Sequence, residues 1–343
     1  MVFDPTGAVT AATGIWIEAS PSSSSTNGQP ATDFHIRACW TEPNTAKPLV
    51  LERVVTLAND VTGADHSLLK MNVSKALLNV DFNRAPVGTY LQSEAKDEWK
   101  SDGGALQGFT VRPAGSLVIA DDQSNRFLQK TFPAGKYNSQ DAEKDDRVLL
   151  QWSLKTPQNA LYFAYRVRTS GDFDPAKGGK LPGLCGGICP IGGESTTDAP
   201  HSSSGQNDPN GTAIGWSARG MWRSNGYLVQ YPYTPDQTTQ YAPDLRYNLN
   251  GSDVYLNDGA WHTIESYVSM NTPGQHNGIL KAWYDGQLVL DQKDVRFRDD
   301  LSYSIDTIKF TSYYGGHDSS WAPLTDSRID YDDVVLSTDP ITH

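Results

Sequence analysis

Three short stretches of this sequence could bring acid-binding and proton-moving side chains onto one surface. A strand shows alternate side chains to the same face. In Tyr162–Arg168, that rule groups Tyr162, Ala164, Arg166 and Arg168, and leaves Leu161, Phe163, Tyr165 and Val167 as core. In Gly215–Met221 it groups Ser217 with Arg219, and in Gly226–Tyr233 it groups Tyr227, Val229, Tyr231 and Tyr233. Were these strands neighbours, one sheet face would carry Arg, Ser and several Tyr. A guanidinium forks a carboxylate, and phenol rings stack and hydrogen-bond, so such a face suits a sugar acid. The bland alternative is half-buried tyrosine packing and solvated arginines.

A fourth stretch, Gly171–Leu184, is dense in Gly, Pro and Lys. It is not a phosphate-binding loop, because Leu181 follows Gly179-Lys180 where Ser or Thr is required. Lys177-Gly-Gly-Lys180-Leu-Pro-Gly-Leu184, placed soon after a strand of alternating Tyr and Arg, resembles polysaccharide lyase family fourteen, the alginate and glucuronan lyases. Phe132-Pro-Ala-Gly-Lys-Tyr137 is similar to that family's Pro-x-Gly-x-Tyr turn. Ser217-Ala-Arg219 and Tyr231-Pro-Tyr233 match its Ser-x-Arg and Tyr-x-Tyr pairs, in the same order. Trp261-His262-Thr263 and the segment from Tyr331 to Val334 are similar too. The resemblance covers residues 85–340 and implies a concanavalin-like jelly roll. It also implies that Lys180, Arg219, Tyr231 and Tyr233 are catalytic and that Ser217 binds substrate. No cofactor is expected, and no metal is assigned. Arg166 and Arg168 are added as candidate cations for neighbouring uronates. Two features depart from the family: a long insertion between Lys180 and Ser217, and an N-terminal region of about 80 residues without a counterpart.

The implied reaction is β-elimination on a 4-linked uronate. The carboxylate must be neutralised, a base must take the C5 proton, and an acid must protonate the departing O4. Arg219 suits the first task, having a permanent charge and paired donors. A phenol donates readily at neutral pH and acts as base only beside cations. Lys180 could serve as base if burial lowered its pKa. The division of base and acid among Lys180, Tyr231 and Tyr233 stays open at this level. Two rivals stand beside the lyase: a glycoside hydrolase, which needs two spaced carboxylates, and a non-catalytic lectin-like jelly roll using the same face.

The elements that must position these residues read as β throughout. Ser116–Ala120, Arg147–Leu154, Leu161–Arg168, Ile305–Ser312 and Ile329–Leu336 are predicted strands. Asp285-Gly286 between two apolar runs is the strongest hairpin signal. Many short strands at such spacing predict an all-β sandwich or jelly roll. Leu49–Val55 reads as a strand, residues 20–30 as a loop or linker, and residues 65–80 as a short helix. Residues 185–212 read as a long loop. The expected organisation is an N-terminal extension over 1–84 and a lyase domain over 85–343.

With net charge −12, the chain is a poor nucleic-acid ligand, and a polyanionic substrate would need a locally basic groove. Of three cysteines, Cys185 and Cys189 flank Gly-Gly-Ile and could close a small disulfide loop, leaving Cys39. No apolar run reaches the ~20 residues that span a membrane, and the start shows no signal-peptide pattern. Three sequons (Asn72, Asn210, Asn250) accord with secretion. The expectation is a secreted monomer acting on an anionic polysaccharide, with neither nucleic acid nor membrane as partner.

Overall fold

The computed structural model describes residues 76–343 apart from 123–124, 140, 190–212, 238–240, 317 and 342–343, together with the backbone of four earlier strands. The chain divides into two compact units, residues 1–68 and 69–343. Residues 69–84 therefore join the second unit rather than the N-terminal extension, and the strand Ala76–Val80 pairs with the last long strand, Ser327–Ser337.

In the first unit, Val9–Thr10, Ile15–Thr26, Gln29–Trp40 and Leu49–Ala58 form an antiparallel sheet in chain order. Two of these strands take in residues 20–26 and 29–30, read above as part of a loop, with Thr26 opposite Gln29. The helix expected over 65–80 is corrected at its described end, since Ala76–Val80 is a strand; 65–75 lie outside the described residues.

The second unit is an antiparallel jelly-roll sandwich. One sheet has seven strands, in the order Leu245–Arg246, Leu228–Tyr233, Gly215–Arg223, Gly178–Gly187, Ile305–Tyr314, Arg147–Gln158 and Gly104–Arg112. The other has nine. Its path runs Gln287–Val295, Gly278–Tyr284, His262–Ser269, Ala160–Thr169, Ser327–Ser337, Arg126–Phe132, Leu117–Asp121 and Gly88–Thr89, with Ala76–Val80 off it. The predicted hairpin forms as expected: Tyr284 pairs with Gln287 across Asp285-Gly286, whose φ values of 49° and 73° fit a type I′ turn.

The core lies between the sheets. Leu150, Trp152, Leu184, Trp216, Ile308 and Phe310 face inward from one side, and Phe163, Tyr165, Ile264, Leu280, Ile329 and Tyr331 from the other. Phe310 meets Tyr331 edge to face with ring centroids 5.0 Å apart. Each fully buried side chain of this kind contributes about 1.5–3 kcal/mol. The consequence for function is geometric. Residues alternating with these core positions are forced onto the outer faces, so the seven-stranded sheet turns Ser217, Arg219, Tyr231 and Lys309 to the side away from the core.

Candidate active site

Three transverse rows on that outer face hold the candidate residues. In the first, Tyr233 pairs with Ser217, Ser217 with Cys185, and Cys185 with Thr307. In the second, Tyr231 pairs with Arg219, Arg219 with Gly183, and Gly183 with Lys309. In the third, Val229 pairs with Met221, Met221 with Lys180, and Lys180 with Tyr313. Strands lie ~4.8 Å apart and same-face residues ~6.7 Å apart. The five residues Lys180, Ser217, Arg219, Tyr231 and Tyr233 thus stand in one patch.

Lys180 reaches this face through an irregularity. From Lys180 to Gly183 the strand takes three residues, while Met221 to Arg219 takes two and Tyr313 to Lys309 takes four. An odd step against two even ones lets both Lys180 and Gly183 face outward, with Leu181 and Leu184 in the core. Pro182, which has no N–H to give a ladder, sits inside the irregular step. Gly183 is required by close approach. A Cβ there would stand 2.1 Å from the Ala218 carbonyl oxygen and 2.5 Å from the Arg219 Cα.

The patch is buried. Ser217 and Arg219 are 0% exposed and Lys180 is 7% exposed. Where the sequence leads to the expectation of a locally basic groove, the candidate residues form a buried polar cluster whose members contact one another. Lys180 Nζ donates to Met221 Sδ at 3.0 Å and lies 3.6 Å above the Tyr231 ring centroid. Tyr231 meets Tyr233 edge to face at 5.5 Å, and the Arg223 guanidinium lies 5.0 Å from the Tyr231 ring. Arg219 Nη1 donates to the Tyr313 hydroxyl at 3.2 Å.

This packing changes proton affinities. Burial, then the charges of Arg219 and Arg223, push the Lys180 amine well below the usual lysine range; Asp244 opposes weakly. Asp244 itself is held by Arg223. Burial, then neighbouring Tyr231, pushes the Tyr233 hydroxyl above the ordinary phenol range, with Arg219 opposing. The cluster therefore offers a lysine that gives up its proton easily, a phenol that keeps its own, and a permanent cation beside both.

Arg166 and Arg168 do not join the patch. They lie on the nine-stranded sheet, on the face away from the core, so their assignment as substrate cations beside Arg219 is corrected. Arg168 donates through Nε and Nη2 to Asp330 Oδ2, at 3.0 and 2.8 Å. Arg166 Nη1 stands 3.7 Å from Asp333 Oδ2, and both guanidiniums stack on Trp261. The alternation of Tyr162–Arg168 is as read, with Phe163, Tyr165 and Val167 in the core; what alternation cannot give is the sheet a strand enters.

The Cys185–Cys189 disulfide is present, with Cα atoms 5.1 Å apart. It closes a loop at the end of strand Gly178–Gly187, beside the first row. Cys39 and most of the 185–212 stretch lie outside the described side chains. Two residues of the patch escaped the sequence reading. Tyr313 and Lys309 belong to a predicted strand or its continuation, and alternation with Ile308 and Phe310 would have placed both on this face. Among the described residues, no group of His, Cys, Asp and Glu could hold a metal ion. None of their helices is long and apolar enough to cross a membrane.

Comparison with known proteins places this architecture. The curated protein Exolysin of Paramecium bursaria Chlorella virus 1 is 24% identical over 233 residues, which are 63% of this chain and 34% of that protein. The chain thus spans about a third of the length of the curated relative it matches. Among solved structures, alginate lyase Aly36B superposes with a TM-score of 0.57 at 21% identity, covering 78% of this chain and 98% of its own. The PL-14 alginate lyase of Aplysia kurodai gives 0.51 at 19% identity, covering 78% and 100%. The alginate lyase vAL-1 from Chlorella virus gives 0.50 at 18%, covering 69% and 93%. These likenesses share the jelly-roll fold. The model of the polysaccharide lyase 14 family matches residues 120–334, a span that holds every row of the patch. With well over half of its sequence so matched, this chain belongs to the polysaccharide lyase 14 family.

Proposed function

We propose that the patch cleaves a 4-linked uronic-acid polymer, glucuronan or alginate, by β-elimination. The observation that carries this reading is the convergence of Lys180, Tyr231 and Tyr233 around one permanent cation, Arg219, in adjoining rows of one buried patch; the lowered proton affinity of Lys180 and the raised one of Tyr233 accord with it. Arg219 neutralises the uronate carboxylate and so stabilises charge developing at C5. Neutral Lys180 takes the C5 proton. The C5–H electron pair forms the C4=C5 bond, the C4–O4 bond breaks, and Tyr233 supplies the proton to O4. Tyr231 holds the Lys180 amine against its ring, and Ser217 hydrogen-bonds substrate. The products carry an unsaturated non-reducing end.

Two supports come from the rivals' requirements. A hydrolase needs a pair of carboxylates across the bond, and no residue of the three rows carries one. Asp330 and Asp332 lie instead on the nine-stranded sheet, bound to Arg168 and Asn125. A lectin has no use for a buried lysine whose proton affinity is lowered. The solved alginate lyases that share the fold support a carboxylated polymer. The disulfide accords with an extracellular setting.

The test is ultraviolet absorbance of unsaturated ends after incubation with a panel of uronans. The wild-type chain should release them from at least one polymer. Tyr233→Phe should lose about 10²–10⁴-fold in rate while keeping the fold. A plain reducing end without absorbance, or full activity in Tyr233→Phe, overturns the reading.

A further inference from the structure

The second row contains a lysine that the elimination chemistry above does not use. Lys309 lies across Gly183 from Arg219, and it is as deep as Lys180, each being 7% exposed. Two strand spacings separate its Cα from that of Arg219, about 10 Å. Between them Gly183 is packed against the Ala218 carbonyl and the Arg219 Cα and presents no side chain, so the row carries two cations with no third side chain between them. A chain of 4-linked uronates presents one carboxylate per sugar, and two long cationic side chains in one row suit two successive carboxylates.

What holds Lys309 is unusual. Its Nζ donates to the Cys189 carbonyl oxygen at 3.0 Å. Cys189 belongs to the disulfide-closed loop, whose backbone is fixed on both sides: Gly187 N donates to Asp306 Oδ2 at 2.9 Å and Ile188 N to the Ile214 carbonyl at 3.1 Å. The loop returns the chain by covalent closure to the row it leaves, and so aims one carbonyl at one ammonium.

We propose that Lys309 is a further substrate-binding residue, receiving the carboxylate of the uronate next to the one Arg219 holds, and that the Cys185–Cys189 loop positions it through the Cys189 carbonyl. The assignment rests on the uronan-lyase reading. It makes the disulfide a determinant of substrate affinity and leaves the chemical step to Lys180 and Tyr233.

Calorimetry on the full chain tests it, using glucuronan and alginate oligosaccharides beside their carboxyl-reduced, neutral counterparts. Lys309→Met should weaken binding of the acidic oligosaccharides about tenfold or more and leave the neutral ones unaffected. In turnover, KM should rise by the same factor with kcat within about twofold. Lys309→Arg, which keeps the charge, should recover most of the loss. The double variant Cys185→Ser/Cys189→Ser should shift KM in the same direction by a smaller factor. Unchanged binding in Lys309→Met overturns the proposal. So does equal loss for acidic and neutral chains with no recovery in Lys309→Arg, or a fall in kcat at constant KM. If the wild-type chain binds uronans yet releases no unsaturated product, the lyase reading fails while Lys309 is still judged by its binding. If it binds none, both fall.

Discussion

Two lysines of this protein are buried in the same sandwich, and the molecule treats them in opposite ways. Lys130, on the nine-stranded sheet, is 0% exposed and meets Asp146 Oδ1 at 2.8 Å. Its Nζ also donates to the Arg112 and Thr131 carbonyls and to the Ser116 hydroxyl, at 3.0, 2.8 and 2.8 Å. Lys180, on the seven-stranded sheet, receives a thioether, an aromatic face and two nearby guanidiniums. Burial lowers the proton affinity of both, but at Lys130 the Asp146 charge and hydrogen bond oppose it, while at Lys180 further cations add to it. A buried charge is tolerated when it is paired and bonded. One lysine has a carboxylate partner that opposes the loss of its proton and braces the fold; the other has neighbouring cations that favour that loss.

The contrast predicts exchanged phenotypes. Lys180→Met should abolish nearly all turnover, about 10²–10⁴-fold, while thermal unfolding stays where it was or rises. Lys130→Met strands Asp146 and should cost about 3–5 kcal/mol in denaturant unfolding, with turnover per folded molecule unchanged. Equal destabilisation by the two substitutions would break the comparison. Gly183→Ala sharpens it from a third side. The added Cβ meets the Ala218 carbonyl oxygen, so the strand bearing Arg219 must move. The expected cost is about 1–3 kcal/mol together with a fall in kcat, read by unfolding and single-turnover kinetics.

The smallest effect concerns a base held as Lys130 is, by carboxylates. His262 stands 2.7 Å from Asp285 through Nδ1 and 3.0 Å from Asp258 through Nε2. Burial opposes its charge, but the bonds to Asp285 and Asp258 outweigh it and raise the imidazole above its ordinary value of 6.5. With the folded pKa above the unfolded one, this stabilisation is fully present below about pH 6.5 and is lost as pH rises through the folded value. Both carboxylates are partly exposed, so less than about 1 kcal/mol is expected. His262→Gln should flatten that part of the stability–pH profile; an unchanged profile would remove His262 as its source.

Much of the fold was legible because the strands alternate cleanly. Core positions such as Trp216, Ala218 and Trp222 bracket Ser217 and Arg219, so a period of two was enough to pair the latter on one face. Asp285-Gly286 carried its own turn chemistry. Three features were not legible, for separate reasons. Arg166 and Arg168 obey alternation, but a strand's own sequence does not say which sheet it enters. Lys309 shares a strand with Thr307 and Thr311, a polar set that on sequence looks like any solvated face. The serine-rich run at residues 20–30 lacks apolar alternation, yet pairing with its neighbour makes it strand. Lys180 was named by resemblance alone, since spacing within its own segment gives no reason to turn it outward.

That last point follows from the odd step between Lys180 and Gly183. Everything before the step is out of phase with everything after it, so the length of Leu181-Pro182 acts as a phase shifter. Deleting or inserting one residue there would exchange the destinations of Lys180 and its neighbours, sending the ammonium toward the tryptophans and an apolar side chain into the polar patch. The polar patch of this protein is therefore sensitive to the count of residues in that segment as well as to their identities.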